Sequence, residues 1–282
     1  MPDGLRLALT TLSIAPVRGP RSIDRRTAGQ AMSLAPLVGL LMGLLAASVL
    51  VVFRVLGDFR SPPLMACALT VGTLAVLSRG LHLDGLADLA DGLGSSLPAE
   101  RARAVMKQPD VGALGLATVV IVLMVQVGAL LGAAENGRGT VSTVLSVVTA
   151  RIAVTAACRG TAAATPDGLG ALVAGTVRRG VPMAWALVAA ATGAAYEVID
   201  HDGPVSRAQQ LVDSTRPVLA VALGLGAALL LRRHAVRRLG GLTGDVLGAL
   251  VETVMTVVLV VMASDLPLSW AQALDRAVNP AG

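Results

Sequence analysis

The sequence predicts an all-α fold: a polytopic integral membrane helix bundle with about seven transmembrane helices, preceded by an N-terminal interfacial or re-entrant helix. Three observations predict it. Hydrophobic residues make up 54% of the 282-residue chain and charged residues only 15%, a balance typical of membrane rather than soluble domains. Several apolar runs approach the ~20 residues that a helix needs to cross a hydrocarbon core. The connections between those runs are alternately rich and poor in Lys and Arg, as cytoplasmic and external loops are.

The opening LRLALTTLSIAPV is too short to span, and the basic run after it lacks the layout of a cleavable signal, which leaves an interfacial or re-entrant helix. The first crossing runs from Leu34 to Phe53 and is entered through PLVGLLMG. The second, Pro62 to Leu77, is short. The third, Gly112 to Ala134, is long enough to span alone, whereas the fourth, Val141 to Cys158, carries Arg151 inside it. Val181 to Val198 forms the fifth, Pro217 to Leu231 the short sixth, and Val246 to Ala263, with Glu252 inside, the seventh. The short and charged runs make six or eight crossings compatible with the same sequence. Gly and Ala are abundant in the runs and let membrane helices approach closely, so residues 1–282 read as one compact membrane-embedded domain.

Sixteen of the 23 basic residues fall in one set of connections: Arg6 to Arg26, Arg79 to Lys107, Arg159 to Arg179, and Arg232 to Arg238. The other set holds Arg54, Arg60, Arg138, Arg207, Arg216 and Arg276, and Arg151 lies within a run. The bias places the basic set in the cytoplasm and makes the plasma (inner) membrane the expected location. The net charge of +5 therefore reads as topology and phosphate binding. With aromatics at 2% there is no stacking platform for nucleic acid, and none is expected as a partner. Cys67 and Cys158 sit in apolar runs, where cysteine packs as a small hydrophobe. His82, His201 and His234 lack zinc-site spacing.

Chemistry concentrates in LSRGLHLDGLADLADGLGSS, Leu77 to Ser96. Asp84, Asp88 and Asp91 are four and three residues apart, so a helix stacks them within roughly a 60° arc. Like charges on one face repel and raise carboxylate pKa values; a divalent cation compensates. Hard oxygen donors suit Mg²⁺, which bridges one or two carboxylates to substrate phosphate. A solvated acidic face is the plain alternative, but the context is apolar and Gly-rich, and Arg101, Arg103 and Lys107 follow with cations for a phosphate. A second constellation, RRLGGLTGDVLGALVE, lies on the same predicted side. Gly240, Gly241 and Gly244 form a turn, Thr243 offers a hydroxyl, and Asp245 opens the last helix, where either Thr or Asp is suited to cap it and free N–H groups suit an anion. Glu252 shares a face with Asp245 inside the apolar run, where ionisable groups have partners.

GLHLDGLADLADGL, MKQPDVGALG and GGLTGDVLGALVE closely resemble the cobalamin synthase family, the adenosylcobinamide-GDP ribazoletransferases. ARIAVTAACRGTAAATPDGLG is similar to that family's mid-chain segment, so the likeness covers most of the chain. The resemblance implies an Mg²⁺-dependent membrane enzyme of late adenosylcobalamin assembly. Its acceptor, α-ribazole or α-ribazole 5′-phosphate, attacks adenosylcobinamide-GDP at the phosphorus nearer the cobinamide, and GMP leaves. In that picture Asp84, Asp88, Asp91, Asp245 and Glu252 hold metal. Arg79, Arg101, Lys107, Arg151, Arg159, Gly241 and Thr243 meet substrate phosphate. The base is Asp91, a metal-activated hydroxyl or His82, the last read more readily as a supporting residue. Lipid surrounds the bundle, and a homo-oligomer is compatible with it.

Two other classes fit parts of the pattern. DLADG, Asp88 to Gly92, opens like the CDP-alcohol phosphotransferase signature, but no Ala-Arg follows Gly92 at the usual offset and the later paired aspartates are missing. A secondary transporter would place its carboxylates near the bilayer midplane, whereas these acids cluster toward one face.

Overall fold

The computed structural model describes residues 1–56, 63–160, 162–199 and 207–265. The described residues are helical and form no strand. Two short helices open the chain, α1 (Asp3–Leu12) and α2 (Arg25–Ser33), and pack on each other. Asp24 starts α2 by accepting the Thr27 amide at 2.7 Å, a carboxylate cap that satisfies one orphan N–H of the first turn. Both helices are too short to cross a bilayer.

The crossings follow the apolar runs. After α3 (Ala35–Leu56) comes α4 (Pro63–Leu77), then α5 (Leu81–Gly94) and the short α6 (Ala99–Val105). Next are α7 (Ala113–Glu135), α8 (Gly139–Ala157), the one-turn α9 (Leu169–Val173), α10 (Gly180–Ile199), α11 (Arg207–Leu239) and α12 (Gly244–Ala263). Six of these helices are long and apolar enough to span alone: α3, α7, α8, α10, α11 and α12.

The candidate seventh crossing is a bent pair, in which α4 meets α5 at 87°. Arg79 (φ 57°) and Gly80 (φ 69°) are both left-handed and turn the chain sharply between the two helices. The end of α4 lies beside the N-terminal segment: the Ile14 amide donates to the Leu77 carbonyl at 2.7 Å, and Arg79 donates to the Thr10 carbonyl at 3.1 Å. Thus α4 returns the chain to the face it left through α3, and α5 turns away from it.

The centre is built from α8 and α12, which are buried along most of their length, whereas α7 and α10 are largely exposed. Ala150, Ile152 and Val154 of α8 pack in one core with Val246, Leu250 and Val254 of α12. α3 lies along α8; α5, α7 and α11 surround α12. Outward residues such as Ile121 and Met124 on α7 or Met183 and Leu187 on α10 are exposed apolar side chains, as expected of a lipid-facing surface.

The sixth run differs from its expected bounds. α11 continues as helix through Pro217 and on to Leu239, so Arg232, Arg233, Arg237 and Arg238 lie on helical turns rather than in a loop. An isolated proline removes one backbone donor, and surrounding helices in a bundle tolerate that loss. Arg60, His201 and Arg276 lie outside the described residues.

The basic connections meet at one end of the bundle and several arginines stitch them. Arg25 donates to the Ala171 carbonyl and, at 2.6 Å, to that of Ala174; Arg103 donates to the Leu239 carbonyl; Arg238 donates to the Leu97 carbonyl at 3.3 Å. The carbonyls of Ala171, Ala174 and Leu239 belong to helix ends, where cations are favourable. At the opposite end Arg138 donates to the Met262 carbonyl at 3.2 Å, and buried Arg216 pairs with Asp213 at 3.1 Å.

Candidate active site

The site begins with a close helix crossing. A Cβ on Gly85 would stand 2.9 Å from the Asp245 carbonyl oxygen, and one on Gly248 would stand 3.2 Å from the His82 Cα. Real Cβ atoms essentially never approach as closely as the first distance and seldom as closely as the second, so Gly85 must be glycine for α5 to lie on α12, and a side chain at Gly248 would press the helices apart by a few tenths of an ångström. Asp84 and Asp88 flank that contact and come within electrostatic reach of Asp245.

Burial, followed by the charges of Asp84, Asp245 and Asp91, pushes the Asp88 carboxyl up to about 6. Asp88 is half-buried on α5, which turns 87° away from α4. Among the described residues, the side chains of Asp84 and Asp88 have no hydrogen-bond or ion-pair partner. Uncompensated carboxylates beside a third carboxylate suit a hard cation, which needs only one or two protein oxygens when a phosphate supplies the rest. No three His, Cys, Asp or Glu side chains among the described residues form a closed metal cage.

Thr243 caps α12: its hydroxyl accepts the Val246 amide at 3.2 Å. Capping therefore does not account for Asp245. Asp91 has a different employment. Its two oxygens accept the Gly112 amide at 2.7 Å and the Gly115 amide at 2.8 Å, fastening α5 to the start of α7.

A cavity of about 640 Å³ opens beside this crossing. Its wall draws on every basic connection: Thr11 and Met32 from the first, Lys107 from the second, Asp167 from the third and Thr243 from the last. Asp245, Arg103, His82 and Arg151 also line it, while Asp84 and Asp88 stand outside the wall. Parallel bridging between Ala163 and Leu242, with the Leu242 amide donating to the Ala162 carbonyl at 2.9 Å, holds two of those connections together.

Arg151 forms the deep end of the cavity and is 1% exposed. Its Nη1 lies 2.6 Å from His82 Nε2, its Nη2 approaches Met42 Sδ at 3.4 Å, and its Nε has no hydrogen-bond partner. Guanidinium nitrogens only donate, so Nε2 of His82 accepts and the ring is neutral, with its proton on Nδ1.

Residues 4–263 match the family model described as cobalamin-5-phosphate synthase, CobS. The chain belongs to the CobS family. It is 44% identical to the adenosylcobinamide-GDP ribazoletransferase of Frankia casuarinae, covering 93% of this chain and 95% of that one. It is 37% identical to the protein of the same name from Nocardioides sp., over 94% and 100% of the two chains. Likeness to the Corynebacterium efficiens ribazoletransferase is 35%, over 93% and 91%. No solved structure matches.

In this CobS-family chain the expected site residues divide into three groups. Asp84 and Asp88 come within electrostatic reach of Asp245, which lines the cavity together with Lys107, Arg151, His82 and Thr243. Glu252 does not: it is buried two turns deeper on α12 and accepts Gln126 Nε2 at 2.9 Å. Seven residues of helix separate it from Asp245 by about 10 Å along the axis. Asp91 accepts the Gly112 and Gly115 amides at the start of α7 and lies outside the cavity wall. Arg79 holds the Thr10 carbonyl, exposed Arg101 lies outside the cavity wall, and Arg159 lines a separate cavity beyond α8. Gly241 packs against the Ala163 backbone instead of lining the cavity.

Arg103, one of the three cations offered from sequence for a phosphate, reaches the wall because its guanidinium is anchored on the α11 carboxyl end. One contributor was not singled out from sequence. The Thr165–Gly168 turn also lines the cavity, with the Thr165 hydroxyl donating to the Asp167 carbonyl at 2.9 Å. Its signal was legible: Pro-Asp-Gly is turn chemistry.

Proposed function

We propose that this CobS-family chain is an adenosylcobinamide-GDP ribazoletransferase acting at the cytoplasmic face of the plasma membrane. The observation that carries the reading is the Gly85–Gly248 crossing, which brings Asp84 and Asp88 within electrostatic reach of Asp245, itself in the wall of a cavity shared with Lys107 and Arg151. Full-length similarity to proteins of that name supports the assignment.

The reaction joins the hydroxyl oxygen of α-ribazole, or of its 5′-phosphate, to the phosphorus nearer the cobinamide. The bond from that phosphorus to the bridging pyrophosphate oxygen breaks, GMP leaves with that oxygen, and the hydroxyl proton is lost. Such a displacement depends on positioning and charge neutralisation more than on covalent chemistry. Asp84, Asp88 and Asp245 would hold Mg²⁺, which when bound offsets charge on the pyrophosphate. Lys107, exposed at the rim, meets phosphate oxygens as a mobile cation. Arg151 offers a fixed guanidinium at the cavity's deep end, and His82 fixes its orientation by accepting from Nη1. The Arg103 and Thr165–Gly168 walls confine the substrates and limit access of water.

Purified protein given adenosylcobinamide-GDP and α-ribazole 5′-phosphate, with and without Mg²⁺, tests the reading. GMP release only with metal is the expected result. No release from folded, lipid-supported protein would reject it, and CMP release from a CDP-linked lipid donor would reassign the site.

A further inference from the structure

A second cavity, of about 240 Å³, lies across α8 from the first. Arg151 and Val154 face the large cavity, whereas Ile152, Ala153 and Ala156 face the second. At 3.6 residues per turn these sets point to opposite sides of one helix. The second cavity is closed on its other sides by α10 and α11. Met183 is 63% exposed and Leu229 is 38% exposed, so the groove opens on the outer surface of the bundle and not into the candidate active site.

Its lining is aliphatic apart from two arginines, Arg159 and Arg232. Arg159 directly follows the last residue of α8's cap, Cys158, and Arg232 stands where the apolar part of α11 gives way to its basic final turns. Both therefore mark the level at which the bilayer's headgroups meet the basic face. The two guanidinium groups are close enough to act on each other electrostatically, and Arg233 adds a third positive charge. Arg159 also contacts the Arg179 carbonyl at 3.5 Å. A guanidinium carries five N–H donors, so a carbonyl contact and an anion contact are compatible.

An aliphatic slot open to the hydrocarbon, with cations at its headgroup end, has the chemistry of a phosphodiester joined to an acyl chain. We propose that the groove between α8, α10 and α11 binds an anionic phospholipid of the leaflet on the basic face. Its phosphate lies between Arg159 and Arg232, and an acyl chain lies against Ala156, Ala186 and Leu225. Basic clefts between transmembrane helices on the cytoplasmic side are a recurrent lipid-headgroup setting. A zwitterionic lipid offers the same phosphate but brings an ammonium group to an already cationic mouth. The bound lipid braces α8 on the side opposite Arg151.

The test uses the full chain, delipidated in neutral detergent, with adducts counted by native mass spectrometry. It is titrated with dioleoylphosphatidylglycerol, with dioleoylphosphatidylcholine, and with phosphatidylglycerol plus inorganic phosphate. Phosphatidylglycerol should bind about tenfold more tightly than phosphatidylcholine, the scale of the repulsion that choline's ammonium adds beside the two guanidinium groups. The preference should vanish in an Arg159→Gln, Arg232→Gln double variant. Ala186→Trp, which fills the groove and leaves both arginines in place, should lose the adduct as well and keeps the test decisive if the double variant does not fold. Equal binding of the two lipids, an adduct unchanged in Ala186→Trp, or displacement of the lipid by inorganic phosphate would overturn the proposal.

Discussion

Nη1 of Arg151 stands 2.6 Å from Nε2 of His82, tying the centre of α8 to the first turn of α5. Both side chains are buried. The contact fixes the proton inventory of the site: the arginine donates, so the histidine accepts and is neutral. In the proposed reaction His82 would brace the Arg151 guanidinium, and its Nε2 is occupied by that contact. The following outcomes depend on this and neighbouring contacts.

His82→Gln keeps a side-chain acceptor for Arg151, whereas His82→Leu leaves a buried guanidinium without one. The loss of a buried partner costs roughly 1–3 kcal/mol. We expect Gln to retain most of the thermal stability and substantial GMP release, and Leu to lose both. A Gln variant as inactive as Leu, yet fully folded, would instead identify His82 as the base.

Asp88→Asn should separate stability from activity. The folded carboxyl titrates at about 6, above its ordinary 3.8, because of burial and the three neighbouring aspartates. A raised pKa means that the folded state prefers the protonated form. Its contribution is fully favourable below about pH 4 and is lost as pH rises through about 6. At neutral pH the apo Asn variant should therefore be slightly more stable than the parent, by about 0.5–1 kcal/mol after solvent screening. It should lack Mg²⁺-dependent turnover. In the parent, Mg²⁺ affinity should fall as pH drops through 6. Thermal unfolding in chelator across pH 4–8 measures the first effect, and metal titration measures the second.

Gly85→Leu should force α5 off α12. The new side chain meets Asp245 backbone at a distance no Cβ tolerates, and overpacking of this kind costs about 1–3 kcal/mol. Turnover should fall at least a hundredfold, because the Asp84, Asp88 and Asp245 arrangement is spread apart. Gly72, around which a Cβ would meet nothing within 4 Å, supplies the control: Gly72→Ala should leave melting temperature and GMP release unchanged.

Much of this was legible in the residues. Apolar runs located the crossings because spanning length is a physical minimum, and the distribution of arginines named the face at which the cavity lies. The spacing of Asp84 and Asp88 placed them on one helical face before any tertiary contact was known. Other features depended on which distant backbone arrives. Sequence can show that Asp91 belongs to an acidic face, but not that the Gly112 and Gly115 amides reach it. Glu252 shares a face with Asp245, yet depth along the helix, set by Gln126 on α7, separates their environments. The apolar run put the start of the sixth crossing at Pro217, whereas α11 begins earlier and continues through it. Arg159 lines the cavity on the other side of α8, a distinction of one helical half-turn that charge counting cannot make.

Asp91 provides the sharpest contrast with its neighbours. Both of its oxygens accept amides at the beginning of α7, so its main contribution is to join two helices. Asp91→Ala removes both acceptors and should cost about 1–2 kcal/mol, the scale of a lost N-terminal cap. Asp91→Asn retains one acceptor and should unfold at nearly the parental temperature with appreciable activity. Asp84→Asn, by comparison, loses no contact within the described protein and should lower turnover and Mg²⁺ affinity with little change in apo stability. Circular dichroism melts in chelator, paired with GMP release at saturating Mg²⁺, distinguish these patterns. Should Asp91→Asn behave like Asp84→Asn, inactive and undiminished in stability, Asp91 must exchange its amides for metal when substrate binds, and the division between capping and metal-facing aspartates would have to be abandoned.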